Sequence, residues 1–415
     1  MIKKAIIISV GDELLRGETV DTNSAFIAAE LLKLNIPTTG KFTVGDDAAA
    51  IKDALFSASM KADLVILTGG LGPTPDDITK ETVADYYDLA LTRDEYTLKK
   101  IQLYFTRSHL PVPAGNEKQA DVPKGAAIFE NTVGTAPGFG LDTSGNCYVI
   151  MLPGPPSEVS AMFEKSVVPY LRGKAEGSIV IKTICCGGIG ESALAELIST
   201  EISGCDKNTK VATYVKDDGV NIVITSYGAG SQEATNKMLR IRDAIFLKAS
   251  YYIYGEDRTT LEEAVAKTLI EKKLKVAVAE SCTGGLFTAK LVNYPGISES
   301  LIESFITYSN WSKVKRIGVD GKTIFLHGSV SEETSREMAE GIARESGADV
   351  TVSITGTAGP GGGTSQKPVG LIYIAVTAKG KTLVRKFNIS GGRQKIRQRA
   401  VSKGMFFLYE QLREL

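Results

Sequence analysis

Three short segments in the last third of the chain carry residue types that could do acyl chemistry. Glu280-Ser281-Cys282-Thr283-Gly284-Gly285 follows the strand-like run KVAVA and precedes a helix-like run from Leu286. A serine at a strand-to-helix turn lies near free backbone N–H groups, which can stabilise the oxyanion formed when its hydroxyl attacks a carbonyl. The same placement suits a helix N-cap, so a nucleophilic role requires a base nearby. The chain has only two histidines, His109 and His327, and only His327, in the loop-like LHGSVSEE, falls in this region. A lysine is the other candidate. Free lysine titrates at about 10.4 and becomes a base near neutrality only where burial or a neighbouring cation lowers that value. Lys313, in SFITYSNWSKVKRIGV, lies behind an apolar stretch with Tyr308, Lys315 and Arg316 close by.

The third segment, SITGTAGPGGGT, opens a strand-like run into Thr355, Gly356, Thr357 and Gly359. Glycines let backbone amides approach a ligand, and such amides with threonine hydroxyls suit a phosphate or carboxylate. The spacing is neither that of a P-loop nor that of a dinucleotide fingerprint. Near the other end, Gly11-Asp12-Glu13 and Asp21-Thr22-Asn23-Ser24 follow the first strand-like run. A later run ends in Thr68-Gly69-Gly70-Leu71-Gly72-Pro73-Thr74-Pro75-Asp76-Asp77. Gly-rich turns feeding helices suit phosphate, and adjacent carboxylates suit a divalent metal bridging it. The plainer alternative is a set of tight turns with acidic helix caps.

These segments need a scaffold, and 415 residues imply two or three domains rather than one. The chain is 43% hydrophobic and 23% charged, as expected of α/β enzymes rather than disordered or fibrous chains. Forty-eight basic residues balance forty-eight acidic ones, so no global field draws the chain to nucleic acid or to an anionic membrane. Apolar runs such as AIIISV and DLVILTGG are strand-sized, and nothing resembling a cleavage segment follows the first. A cytoplasmic protein is expected. Five scattered cysteines without CxxC spacing suggest neither disulfides nor zinc.

Residues 1–170 alternate strand-like and helix-like segments, the rhythm of a parallel sheet covered by helices. Residues 171–255 read as a small α+β module, with strand-like SIVIKTICC, NIVITSYG and YYIYG and two helices. Residues 256–415 read as a second α/β domain ending in the helix RQKIRQRAVSKGMFFLYEQLREL. Ligands in such sheets sit beyond the carboxyl ends of strands, where the Ser281 turn, the Thr355 segment and the glycine–aspartate loops fall.

Taken together, AESCTGG, TYSNxxK and ITGxAGPxGG resemble the C-terminal domain of the CinA family, related to nicotinamide-nucleotide amidohydrolases. The resemblance implies hydrolysis of nicotinamide mononucleotide to nicotinate mononucleotide and ammonia, without a cofactor. Ser281 would be the nucleophile and Lys313 the base, with Tyr308 and Thr355 assisting. Gly284, Gly285, Gly356, Thr357 and Gly359 would cradle the substrate. In GGRQKIRQRA, Arg393 and Arg397 match a family GDRxxIR-like signature and would contact substrate, whereas Gly392 replaces the aspartate. GGLGPTPDDIT, GDELLxG and LPGPPSE resemble the MogA-like, molybdopterin-binding-type domain that forms the family's N-terminal half. That half implies a pyrophosphatase splitting ADP-ribose into AMP and ribose 5-phosphate with a divalent metal (Mg, Mn or Co). Asp76 and Asp77 lie where a metal-binding aspartate is expected, Asp12 would help, and Gly69, Gly70, Gly72, Asn23 and Glu158 would serve the substrate.

The expected fold is therefore α/β throughout, with a MogA-like parallel-sheet domain, a KH-like middle module and an α/β amidohydrolase domain, assembled as a homodimer. Gly187-Gly188-Ile189-Gly190 matches the GxxG of KH nucleic-acid-binding folds. Eleven basic and eleven acidic residues from Leu171 to Arg258 supply no electrostatic drive for nucleic acid, so the module reads as a linker. Two functions compete: a pyridine-nucleotide salvage enzyme, and an accessory binding protein of DNA uptake and repair with vestigial sites. The joint presence of Ser281, Lys313, Tyr308 and Thr355 favours the enzyme.

Overall fold

The computed structural model describes residues 1–107, 109, 111, 113–143 and 147–415. They form two compact units, Met1–Val180 with Ser226–Asn236, and Ile181–Thr225 with Lys237–Leu415.

In the first unit the apolar run AIIISV forms β1 (Ala5–Val10), beside β2 (Thr38–Val44) and β3 (Leu64–Thr68). β1 and β3 are buried at every position, as central parallel strands covered on both faces must be. Alternation along β1 sends Ile6 and Ile8 into one core with Ile51 and Leu55, and Ile7 into another with Ile27 and Leu31. A separate two-stranded ribbon pairs β4 (Leu91–Arg93) with β5 (Asp121–Pro123). The main sheet is completed by β6 (Ala127–Phe129), β7 (Gly138–Thr143) and β8 (Cys147–Leu152), in the order β2-β1-β3-β8-β7-β6. It is parallel from β2 to β8 and antiparallel from β8 to β6. The expected parallel sheet is thus present and carries an antiparallel edge. Three residues separate β7 from β8, far too few for a crossover, so that pair must be antiparallel.

The middle segment builds a four-stranded sheet from β9 (Ser178–Cys186), β10 (Thr209–Lys216), β11 (Gly219–Gly228) and β12 (Ile253–Glu256), ordered β10-β11-β9-β12. The middle segment does not separate as a unit of its own: Ser226–Asn236 falls in the first unit, while residues 181–225 and 237–255 fall in the second, where they pack on the last helix, Arg393–Glu414. A Cβ on Gly187 or Gly188 would lie 2.3 or 2.1 Å from the Phe406 ring. The Tyr251 hydroxyl donates to the Glu410 carboxylate, and Arg413 donates to the Ser250 carbonyl at 3.0 Å.

Five strands form the C-terminal sheet: β13 (Val276–Glu280), β14 (Leu301–Ile306), β15 (Val350–Gly356), β16 (Leu371–Ala378) and β17 (Lys381–Asn388). Their order is β14-β13-β15-β16-β17, with β13 parallel to both neighbours and the last two strands antiparallel. Val276 and Val278 face the helices Leu261–Glu271 and Arg393–Glu414, while Ala277 and Ala279 face Ile317, Met338 and Ile342. Because β1 and β13 each lie between the two strands that follow them, successive connections depart to opposite sides and open a crevice at the strand's carboxyl end.

Gly69 closes the crevice above β1 and β3. It has φ 107°, and a Cβ there would lie 2.1 Å from the Val10 carbonyl oxygen. Gly69→Val is accordingly expected to destabilise the protein by about 2 kcal/mol or more, through left-handed strain plus a backbone clash. Urea unfolding of the full chain measures it, and an unchanged midpoint would contradict this account of the loop.

Candidate active site

Glu280, the last residue of β13, is fully buried. One carboxylate oxygen accepts from the N–H groups of Gly285 and Phe287 at 3.0 and 3.1 Å. The other accepts from the N–H and hydroxyl of Thr288 at 2.9 and 2.8 Å. These are the otherwise orphaned donors at the start of the helix Leu286–Leu291, so Glu280 takes the capping role open to Ser281. The Ser281 hydroxyl is thereby left for Lys313. Ser281 is fixed by its own N–H, which donates to the Ile354 carbonyl at 2.9 Å. Among the described residues the Thr283 N–H has no acceptor and the Cys282 N–H meets only its own thiol, so the two residues after Ser281 hold the donors nearest in sequence for a developing oxyanion.

Lys313 sits on the helix Asn310–Ile317, whose start is fixed by a capping box between Ser309 and Ser312. Only Lys313 and Ile317 of this helix are buried, four residues apart and so on one face. Lys313 is 1% exposed, and its Nζ lies 3.0 Å from Ser281 Oγ. The amine donates to the Thr307 carbonyl at 2.7 Å and to the Tyr308 carbonyl at 3.4 Å. Burial pushes its pKa down to about 8; the lowering comes from burial, and the exposed Lys315 and Arg316 are not its cause. A neutral amine has two hydrogens and one lone pair. Two carbonyls take the hydrogens, which leaves the lone pair for the serine proton.

A cleft of about 260 Å³ opens over this pair, lined by Ser281, Lys313, Thr355, the glycine-rich segment Gly356–Gly362 and Arg393. Gly356, Thr357 and Gly359 line it, whereas Gly284 and Gly285 lie in the turn beneath. The structure divides the two arginines. Arg393 lines the cleft, donating to the Gly359 carbonyl at 2.6 Å and to the Tyr308 hydroxyl at 3.1 Å. Arg397 donates to the Thr283 carbonyl at 2.6 Å and so braces the serine turn rather than lining the cleft. Tyr308 reaches Lys313 through its carbonyl, while its ring is exposed. The Thr355 hydroxyl donates to the Ser329 carbonyl, pinning the opposite wall. His327 ends the helix Gly321–His327 rather than lying in a loop. It pairs with Glu333 at 3.4 Å and does not line the cleft.

The N-terminal crevice, about 330 Å³, lies above β1, β3 and β8. Gly69, Gly70, Gly72, Asp77 and Glu158 line it; Asp12, Asn23 and Asp76 do not. Asn23 donates to Thr68 Oγ1 and to the Gly154 carbonyl, joining the loops around the crevice. Asp77 accepts from the Thr74 N–H and hydroxyl at 2.8 and 2.6 Å, and Lys118 donates to the Thr74 and Asp77 carbonyls, so the GGLGPTPDD loop is held shut on itself. Asp76 is exposed. Glu158 accepts from Asn131, and burial raises its pKa.

Asp46, absent from the sequence-based candidates, lines the crevice with Glu13. Asp12 and Asp46 exchange backbone-to-carboxylate hydrogen bonds at 3.1 and 3.3 Å. The Asp46 pKa is raised by burial and by repulsion from Asp12, Glu13 and Asp77. Its signal was available, since Gly45-Asp46 follows β2 at the same end of the sheet as the loops after β1 and β3. A wall of mutually repelling carboxylates fits a divalent cation better than a bare pyrophosphate. Among the described residues no three carboxylate, thiol or imidazole groups converge as a metal cage, so further ligands would have to come from water or a substrate phosphate.

Fold and site together define a modular protein with a carboxylate-walled crevice in one α/β sheet and a buried serine–lysine pair in another. Three family models match it: "Probable molybdopterin binding domain" at residues 6–173, "Damage-inducible protein CinA KH domain" at 181–255 and "CinA C-terminal domain" at 258–412. Competence-damage inducible proteins of Alkaliphilus metalliredigens and Clostridioides difficile are each 44% identical to it. The matches cover 99% of this chain with 99% and 100% of those chains, respectively. The chain belongs to the CinA family of competence-damage inducible proteins. It is also similar to two solved structures. A CinA superfamily protein of Klebsiella pneumoniae is 31% identical over 37% of this chain and 97% of that one, with TM-score 0.37. The protein CinA of Thermoplasma acidophilum is 37% identical over 40% and 96%, with TM-score 0.37. Its modules are thus MogA-like, KH-like and CinA C-terminal in chain order. No helix among the described residues is long and apolar enough to cross a membrane.

Burying Lys313 has a cost that depends on pH. With its pKa at about 8 in the fold and about 10.4 unfolded, the unfolded state binds more protons between those values, so stability rises with pH across that window. Lys313→Met is expected to raise stability at pH 7 by roughly 3 kcal/mol at most and to flatten that rise. Urea unfolding at several pH values checks it; a variant no more stable than the parent at pH 7 refutes it.

Proposed function

We propose that the C-terminal domain hydrolyses the carboxamide of nicotinamide mononucleotide to nicotinate mononucleotide and ammonia. The observation that carries this reading is the buried Lys313 amine 3.0 Å from the Ser281 hydroxyl. Ser281 Oγ attacks the amide carbon as its proton passes to Lys313 Nζ. The oxyanion forms beside the N–H groups of Cys282 and Thr283. Lys313 returns the proton to the departing nitrogen, ammonia leaves, and water hydrolyses the acyl-serine with Lys313 again as base. The Gly356–Gly362 segment and Arg393, which line the same cleft, would take the mononucleotide phosphate.

For the N-terminal domain the reading is divalent-metal-dependent hydrolysis of ADP-ribose to AMP and ribose 5-phosphate. When bound, the metal would polarise the bridging phosphate and lower the pKa of a water. Asp77 and Asp46, with Glu13, would hold it, while the glycines of the Gly69–Gly72 turn admit the phosphates. The alternative, an accessory binding protein with vestigial sites, draws on the relatives' names. The balanced charge of the KH-like module, eleven basic against eleven acidic residues from Leu171 to Arg258, does not support the KH-type nucleic-acid contact that it would use.

Ammonia release from nicotinamide mononucleotide should fall by about 10³-fold or more in Ser281→Ala and comparably in Lys313→Ala, since the two act as one unit. The wild-type kcat/KM should rise with pH up to about 8, where Lys313 loses its proton, and level above it. Folded wild-type protein that releases no ammonia, or a pH profile without that inflection, ends this reading. Separately, ADP-ribose hydrolysis should stop on chelation and in Asp77→Ala while ammonia release continues. Metal-independent hydrolysis would remove the metal from the account.

A further inference from the structure

Residues 188–220 of the KH-like module and residues 388–406 of the C-terminal domain, which belong to one compact unit, line a third cavity of about 300 Å³. Its floor is one face of the last helix, where Arg399, Ser402, Lys403 and Phe406 follow at the i, i+3, i+4, i+7 spacing of a single stripe. Its roof is the Gly188–Gly190 loop and the β10–β11 hairpin, and its side is the Asn388–Ser390 segment leading into Arg393. Neither Arg399 nor Lys403 has a carboxylate or hydrogen-bond partner among the described residues.

That is not for want of acids in the lining. Glu191 accepts from the Thr213 hydroxyl at 3.1 Å and Asp218 from the Tyr254 hydroxyl at 3.2 Å, which leaves Asp217, exposed in the hairpin turn. Two like charges one helical turn apart, both partly buried and turned into a cavity, are destabilising as they stand. Burial and the nearby Arg399 depress the Lys403 pKa, which expresses the same frustration. An anion contacting both would relieve it, as guanidinium and ammonium groups together do for phosphate.

We infer that this cavity is a binding site for a small phosphate monoester, held by Arg399 and Lys403 against the Gly188–Gly190 loop. The volume suits a sugar phosphate or a single nucleotide rather than a polymer. A nucleic-acid strand would need a longer basic track than Arg399 and Lys403 provide, and the module's charge is balanced. The site is separate from the serine–lysine cleft, whose arginine on this helix is Arg393, and its occupancy does not depend on the proposed amidase activity.

The test reads Lys403 itself. Full-length protein is modified with an amine-reactive reagent in the presence of inorganic phosphate or ribose 5-phosphate, with chloride at matched ionic strength, and the rate at Lys403 is followed by peptide mass spectrometry. At a ligand concentration about four times Kd, occupancy should slow labelling about fivefold. Arg399→Gln should abolish the protection, whereas Arg393→Gln should leave it intact. Labelling that is indifferent to both phosphates overturns the site. So does protection that survives unchanged in Arg399→Gln, since the anion would then sit elsewhere. Equal protection by a single-stranded RNA overturns the small-ligand class.

Discussion

The rest of the serine–lysine site depends on keeping one lysine amine out of water. Lys313 can serve as a base only because burial lowers its pKa, and burial is tolerable only because two main-chain carbonyls, at Thr307 and Tyr308, occupy the amine's hydrogens. Those carbonyls lie just past β14, so the end of an edge strand holds the Lys313 amine while the end of the neighbouring β13 holds the Ser281 hydroxyl. Glu280 completes the arrangement. By capping the helix Leu286–Leu291 it relieves Ser281 of that duty and leaves the hydroxyl facing the amine.

Both α/β sheets use the same device. In each, the first strand lies between its two successors, and the loops beyond its carboxyl end meet over a crevice. What differs is the charge of the lining. Beyond β1 the side chains are carboxylates, which repel one another and suit a cation. Beyond β13 they are a serine, a lysine and an arginine among backbone amides, which suit an acyl group and an anion. Shared topology thus places the sites, and a few side chains decide their chemistry.

The last helix links these themes. Arg393 faces the serine–lysine cleft, Arg397 braces the serine turn, and Phe406 packs against Gly187 and Gly188 of the KH-like module. One element therefore supports the serine–lysine site and packs against the part of the middle module, residues 181–225 and 237–255, that shares its unit.

The strands were legible because β1, β3 and β13 are apolar at nearly every position and end in glycine- or serine-rich turns, which are local properties. The antiparallel edge of the first sheet was missed because pairing direction depends on connection length and partner, not on strand composition. The sequence by itself determined that Ser281 and the Thr355–Gly359 segment lie at strand ends and that Lys313 lies behind an apolar stretch. It left Ser281 open to capping and left both arginines assigned to substrate. Only the tertiary structure decided that Glu280 caps, that Arg397 braces, that Asp46 joins the carboxylate wall and that His327 lies outside the cleft. Each of these is a contact between residues set by packing, as with the 32 positions separating Lys313 from Ser281, and no local pattern records such a distance.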